Sequence, residues 1–498
     1  MSTYQFVALV LAGIGPVLAL ARLTNAPDSL VLFGLGLASA FLPGLPPAEI
    51  DPQLVLNLFL PPLLYASTVR ISWHLLRFTL LPGVLLGAVL VLATIAVVVP
   101  AVRFVFLPGL SWTGACLLGV VAAIFDTRLF HEAKGRPRVP RAVSDALKAR
   151  ELVARLVILA AFALVLETAR AGRFSVLSLG EHYALDIPAG IALGLAVGYV
   201  VAFARQRIDP APVEIAVSVA TPYGAALLAS ALGLSVVGAV TAAALVVSAV
   251  RIDRRTGAPI SSSETRVSAT AFWEEVSLMV SSALFFLAGR ALPEALRALE
   301  TWPLWQLLTT AAGVLALVVA VQFGASYAAT ALPPIAGALD ERHRGGSSRR
   351  AIAAGVMAWS STRSVIGLVI ALSIPATLPD GRPFPERDLI LVVAALVIVG
   401  SVLVQGLTVR AVVTWANLAD EEENEREQDL ARRTAEEALA SPGREHANGF
   451  DAARQALVRL REQDRIGDEV LVAMLRETDL VARASEGNAL PGAGPPNP

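Results

Sequence analysis

The sequence predicts an all-α polytopic membrane protein of about 13 transmembrane helices, followed by a short cytoplasmic helical tail. Three observations carry this expectation. Hydrophobic residues fill 55% of the 498 positions, charged residues only 16%, and the mean hydropathy is +0.64. A soluble domain of this size needs more polar residues to cover its surface. Apolar runs of roughly 18 residues or more recur along most of the chain. Lysines and arginines gather in alternate loops, as the cytoplasmic loops of a multispan protein require.

In chain order, the apolar segments centre on residues 4–22, 28–44, 52–68, 78–102, 110–127, 149–168, 186–204, 213–232, 234–250, 270–290, 303–332, 351–375 and 387–415. The first has no basic residue before it and is followed at once by further spans, so it reads as a retained span and not a cleaved signal. Three segments carry interruptions: Pro61-Pro62 in the third, Thr221-Pro222-Tyr223-Gly224 in the eighth, and Ser360-Ser361-Thr362-Arg363-Ser364 in the twelfth. Breaks at membrane depth require protein or a wet cavity to cover the freed backbone groups.

Loop charge sets the expected orientation. Arg128, Lys134, Arg136, Arg138, Arg141, Lys148 and Arg150 lie between the fifth and sixth spans. Arg205 and Arg207 follow the seventh, Arg251, Arg254, Arg255 and Arg266 the ninth, and Arg342, Arg344, Arg349 and Arg350 the eleventh. With these loops cytoplasmic, the N-terminus lies outside and the C-terminus inside. Residues 1–416 form the transmembrane domain and 417–498 a polar cytoplasmic tail that opens with Asp420-Glu421-Glu422-Glu423. Helical spacing returns in FDAARQALVRLREQ and GDEVLVAMLRETDLVARA, which predicts a helical hairpin packed on itself or on a cytoplasmic partner. The last stretch, GNALPGAGPPNP, reads as disordered.

Several function classes are excluded. The formal net charge of −1 gives no basic field for nucleic acid. A single cysteine, Cys116, rules out an internal disulfide and a Cys-rich metal site. His131-Glu132 lacks the second histidine of a zinc hydrolase, and no Walker loop, dinucleotide fingerprint or nucleophile set stands in a credible context. The expectation is a protein that is not an enzyme and needs no cofactor.

Charges inside apolar segments remain. Asp126 interrupts VVAAIFDTRLF, and Glu151 and Arg155 stand one helical turn apart in ARELVARLVILAAFALVLE. A charge at membrane depth costs roughly 2.5–3.5 kcal/mol on insertion scales unless it is paired or wetted. The residues alone leave two readings of Asp126: a titratable carboxylate that binds a cation or proton, or a helix-end residue that pairs with Arg128. Glu151 and Arg155 read more simply as a structural ion pair in the favoured acid-then-base order. Arg363 sits mid-span among Ser and Thr and needs carbonyl or carboxylate partners. Trp273, beside Glu274 and Glu275, reads as an interfacial anchor. Ser281-Ser282 read as packing residues or as polar contacts to a core site.

From about residue 50 to the tail, the chain resembles the monovalent cation:proton antiporters, in particular the bacterial NhaP-type sodium–proton exchangers. The resemblance rests on LNLFLPPLLYASTVRISWHLLR with its double proline, on FWEEVSLMVSSALFFLAGRAL, and on MAWSSTRSVIGLVIALSIP followed by RDLILVVAALVIVGSVLVQGLTVR. Arg363 matches the family's core arginine and Gln405-Gly406 its last-span Gln-Gly. LREQDRIGDEVLVAMLRETDL resembles the cytoplasmic helices of bacterial members. The resemblance implies inverted repeats, a dimerisation domain, a mobile core with crossing discontinuous helices, and a homodimer in the inner membrane. It implies exchange of Na+ or K+ for H+ by alternating access, serving pH and cation homeostasis.

The resemblance also places an ion site, and there the chain departs from the pattern. Phe125-Asp126-Thr127 stands at the family's Thr-Asp-Pro, so Asp126 is kept and Thr127 replaces the helix-breaking proline. Ala154-Arg155 stands at the Asn-Asp or Asp-Asp pair, and Ser281 where many members have Asn. An arginine is always protonated and cannot alternate between proton and alkali cation. At about 4 Å and an effective dielectric of about 20, it repels a monovalent cation by on the order of 4 kcal/mol. Asp126 or Glu151 could neutralise it, leaving a site with a built-in cation in which Glu151 takes over the carboxylate role. The alternative is a descendant that no longer exchanges cations: a sensor or assembly module, or an anion transporter.

Overall fold

The computed structural model describes residues 27–42, 52–69, 73–127, 141–171, 176–205, 211–249, 263–299, 302–331, 346–378, 381–384, 386–416, 421–440, 446–463 and 465–488, with Gly15 and Arg207. The expected span 4–22 apart from Gly15, the Arg128 partner of Asp126, His131-Glu132 and the final tail stretch after Asn488 fall outside them; Gly487 and Asn488, which open that stretch, are helical and not disordered. Every expected apolar segment after the first contains a described helix. Among the described residues, six helices are long and apolar enough to cross a membrane, within residues 86–106, 185–205, 212–231, 271–298, 304–329 and 387–416.

α1 (Asp28–Ser39) is followed by a π-helical turn (Val55–Phe59) leading into α2 (Leu60–Thr68). The double proline sits in the first turn of α2. Pro61 and Pro62 lack the N–H groups that would continue the i→i−4 ladder, and the backbone widens just before them. α3 (Trp73–Ala101) ends in a second π turn (Val102–Phe106), and α4 (Trp112–Ala123) runs into the two-residue strand β1 (Phe125–Asp126). α5 (Arg141–Ala171), α6 (Val176–Arg205), α7 (Ala211–Ala231) and α8 (Val236–Ala249) follow. α9 (Ser263–Ala298) and α10 (Leu304–Ala329) lead to α11 (Gly346–Trp359), the strand β2 (Thr362–Arg363) and α12 (Val365–Leu372). α13 (Arg387–Ser401) continues through a third π turn (Val402–Gly406) into α14 (Leu407–Ala416).

Three sequence expectations need correction. The basic loop is shorter than the charges suggest, because α5 starts at Arg141 and takes Lys148 and Arg150 into a helix. The Thr-Pro pair of the eighth span makes no break, since α7 passes through Pro222 unbroken. There Thr221 Oγ1 donates to Val217 O at 2.8 Å, a back-bond that tethers the turn next to the missing donor. Trp273 is no interfacial anchor: it is buried, its ring lies 4.7 Å from that of Tyr65, and Nε1 donates to Ser218 Oγ at 2.7 Å.

Small residues set the tightest helix contacts. Gly190, Gly194 and Gly198 recur every fourth residue on α6 and face the backbone of Ser235, Ala239 and Ala243 along α8. An added Cβ at Gly194 would overlap the Ala239 carbonyl oxygen. Helices in lipid gain little from hydrophobic association and rely on such close backbone approach. Gly36 of α1 and Gly289 of α9 meet in the same way against Phe286 and Phe33.

The tail folds as α15 (Glu421–Leu439), α16 (His446–Glu462) and α17 (Asp468–Asn488) around Ala431, Leu457, Leu460, Ile466 and Met474. The acidic run thus heads a third helix in addition to the expected pair. α17 also packs along α9.

Candidate functional site

Two chain breaks meet in the interior. β1 and β2 pair antiparallel, with Phe125 opposite Arg363 and Asp126 opposite Thr362. Thr362 Oγ1 adds a bond to Asp126 O at 3.1 Å. The short ladder satisfies backbone groups that no helix covers, as membrane depth requires. It also brings the C-terminal ends of α4 and α11 together. Each such end carries roughly half a negative charge and leaves carbonyls without helical partners.

Two buried arginines answer those ends. Arg363 Nη1 donates to Ala122 O at the end of α4 at 2.6 Å, and Nη2 to Ser361 O at 3.0 Å. Its backbone N–H donates to Ser401 Oγ at 2.9 Å, and Ser401 Oγ in turn donates to Gln405 Oε1 at 2.6 Å. Arg150, 2% exposed, donates through Nη2 to Ser361 Oγ and, at 3.4 Å, to Met357 O. Its Nη1 donates to Ser326 Oγ at 3.1 Å. Gln322 Nε2 reaches Ser361 O at 3.3 Å. Both guanidinium groups lie against the Phe125 ring, Arg150 at 4.9 Å and Arg363 at 5.9 Å from its centroid.

The carboxylates gather at the C-terminal end of β1. Thr127 donates to Glu151 Oε2 through Oγ1 at 2.6 Å and through its backbone N–H at 3.2 Å. Arg155 pairs with Glu151 Oε1, and its Nη2 stands 3.8 Å from Asp126 Oδ2. Asp126, Thr127, Glu151 and Arg155 are all more than nine-tenths buried. The structure thus gathers four of the sequence-predicted residues into one cluster. Arg155 is the bridge between the two carboxylates, and Thr127 uses the hydroxyl that a proline would lack to hold Glu151. Ala154 is buried in the apolar core, and Ser281 is buried on α9 next to Ser282.

The cluster's charge follows from these contacts. Within the cluster itself, two carboxylates and one guanidinium sum to −1. Arg150 and Arg363 lie against helix-end carbonyls, and two ends of roughly half a negative charge each offset about one of their two positive charges.

Arg150, Gln322, Ser326 and Ser401 do not stand out in the sequence as site residues. For Arg150 a signal exists. Leu147, Arg150, Ala154, Ile158, Phe162 and Val165 recur at three- and four-residue spacing and form the buried face of α5. The arginine occupies a core position of a helix whose first turns look like a basic loop.

Comparison with known proteins agrees with this architecture. The sequence profile of the sodium/hydrogen exchanger transmembrane family matches residues 7–415. An uncharacterized Na+/H+ exchanger of Mycobacterium bovis is 32% identical over 443 residues, covering 87% of this chain and 78% of the relative. The Na+/H+ antiporter ApNhaP of Aphanothece halophytica is 27% identical over 83% of this chain and 74% of its own length. The solved structure of the sodium proton antiporter MjNhaP1 from Methanocaldococcus jannaschii superposes with a TM-score of 0.61 at 17% identity, covering 83% of this chain and 98% of that one. With a family match over most of its length and the same membrane fold, the chain belongs to the sodium/hydrogen exchanger family.

Proposed function

We propose that this protein exchanges a monovalent cation, Na+ or K+, for H+ across the membrane by alternating access, with Asp126 as the exchanging carboxylate. The observation that carries the reading is the asymmetry of the cluster. Arg155 closes on Glu151, which Thr127 also holds, and stands off from Asp126 at 3.8 Å. Asp126 is therefore the carboxylate better placed to trade a proton for a cation, and Glu151 serves as the fixed counter-charge of Arg155. The chain's Arg155 does not by itself argue for a descendant that has lost exchange, because Glu151 neutralises it.

In this reading residues 1–416 form a transmembrane unit of thirteen spans with the N-terminus outside, and 417–498 a cytoplasmic tail. The unit works as a homodimer in the bacterial plasma membrane, and the tail offers a surface to a cytoplasmic partner. Ser281 lines the cation's route from α9, and Arg363 balances charge at the crossing.

The test is exchange in proteoliposomes with an internal pH dye. Addition of Na+ or K+ should alkalinise the lumen of vesicles loaded at acid pH, and Asp126→Asn should abolish the signal. Silence in the wild type, with a response gained in the double variant Ala154→Asn/Arg155→Asp, would overturn the proposal.

A further inference from the structure

We propose that Arg150 is a positioning residue for exchange: with Glu151 it forms a two-sided yoke on α5 that holds both chain breaks in register and so fixes the carboxylate cluster against Asp126. Neighbouring residues on a helix point about 100° apart. Here that divergence sends one charged side chain to each break. Arg150 reaches the second break through Ser361 Oγ and Met357 O, and reaches α10 through Ser326. Glu151 reaches the first break through both donors of Thr127. The Phe125 ring of β1, under the Arg150 guanidinium, closes the connection between them.

The chemistry of Arg150 makes this arrangement strict. Its hydrogen bonds go to two hydroxyls and a backbone carbonyl, with no carboxylate among their acceptors, and its Nε has no hydrogen-bond partner. A buried guanidinium is tolerated only where its fork is matched by acceptors. The acceptors at Met357 and Ser361 exist in this geometry only while α11 ends where it does. The rotation of α5 and the geometry of the second break therefore depend on one another. Any slip of α5 that releases Ser361 also draws Glu151 away from Thr127, and the cluster opens.

The experiment compares wild type with Arg150→Lys, which keeps the charge and loses the planar fork, and with Ser361→Ala, which removes the shared hydroxyl and leaves Arg150 in place. Hydrogen–deuterium exchange is read on residues 122–127 and 360–365 of the purified protein. In Arg150→Lys both segments should exchange about tenfold faster, which corresponds to about 1.4 kcal/mol, with the α6–α8 contact unchanged. Ser361→Ala should move both segments in the same direction by less. In proteoliposomes Arg150→Lys should raise the half-saturating cation concentration several-fold while the maximal rate stays within about twofold. Wild-type uptake at both breaks in the two variants would overturn the yoke. So would faster uptake at 360–365 alone with unchanged half-saturation, which marks local packing. The half-saturation arm rests on the exchange reading. If wild-type vesicles show no exchange, that reading fails, and deuterium uptake still decides the yoke.

Discussion

Replacing Arg155 with Gln removes the charge that stands between the two carboxylates and leaves an N–H able to serve Glu151. The magnitude follows from one distance. Arg155 Nη2 lies 3.8 Å from Asp126 Oδ2, so at an effective dielectric of about 20 the interaction is on the order of 4 kcal/mol. An ion or proton on Asp126 feels a repulsion of similar size. Removing it raises the affinity of Asp126 for both ligands by a common factor of up to about a thousand. Because the two compete, the consequence depends on pH. Where the proton is scarce, the half-saturating cation concentration falls by the full factor. Where the proton is abundant, both affinities rise together and the apparent value hardly changes. The rate profile should therefore move toward alkaline pH. The assay is dye-reported exchange in proteoliposomes, with initial rates at several cation concentrations from acid to alkaline pH. A profile and an alkaline half-saturation both within about twofold of wild type, in protein that melts normally, would refute the reasoning.

A second expectation concerns net charge. One monovalent cation traded for one proton at Asp126 moves no net charge per cycle, so wild-type exchange should ignore a valinomycin-clamped potential. Gly194→Leu places a branched side chain where even a Cβ would overlap Ala239 O. α6 and α8 must then separate, and the thermal midpoint in detergent should fall by several degrees. In the tail, Arg454 Nε donates to buried Asp479 Oδ1 at 2.8 Å, and both side chains are buried. Arg454→Met removes that buried ion pair and the one to Asp451, and deuterium uptake across 446–488 should rise while the transmembrane helices stay protected.

The membrane class was legible because it depends on local quantities: run length, loop charge and the cost of burying polar backbone. Helix limits were less so. Residues 141–148 carry Arg141 and Lys148, which look like loop chemistry, yet the buried spacing from Leu147 through Ile158 continues that helix unbroken. Thr221-Pro222 looked like a break for the opposite reason, since proline alone predicts one and the threonine hydroxyl that compensates is easily overlooked. The crossing of β1 and β2 joins residues more than two hundred positions apart, so no local pattern could announce it. Only the resemblance to a family did. For Arg150 the helical spacing marks a buried position but not its partners, which come from α10, α11 and β1.

The cations at the crossing divide into two groups with separate duties. Arg150 and Arg363 face carbonyls at the ends of α4 and α11, on one side of Phe125 and Ser361. Their charge answers helix dipoles, and it is spent holding the crossing together. Arg155 faces only carboxylates among its hydrogen-bond and ion-pair partners. Its charge answers titratable groups, and it sets what the cluster can load. A single arginine could not do both, because a guanidinium fixed on helix ends cannot yield to an incoming ion. Arg155 is tied by side chains alone, one of them the adjacent turn's Glu151, and the two bonds from Thr127 to Glu151 do not involve Arg155. The cation at the site can therefore move aside without unmaking the crossing. On that separation the proposed exchange depends: an aspartate able to alternate between ligands, beside an arginine able to make room for them.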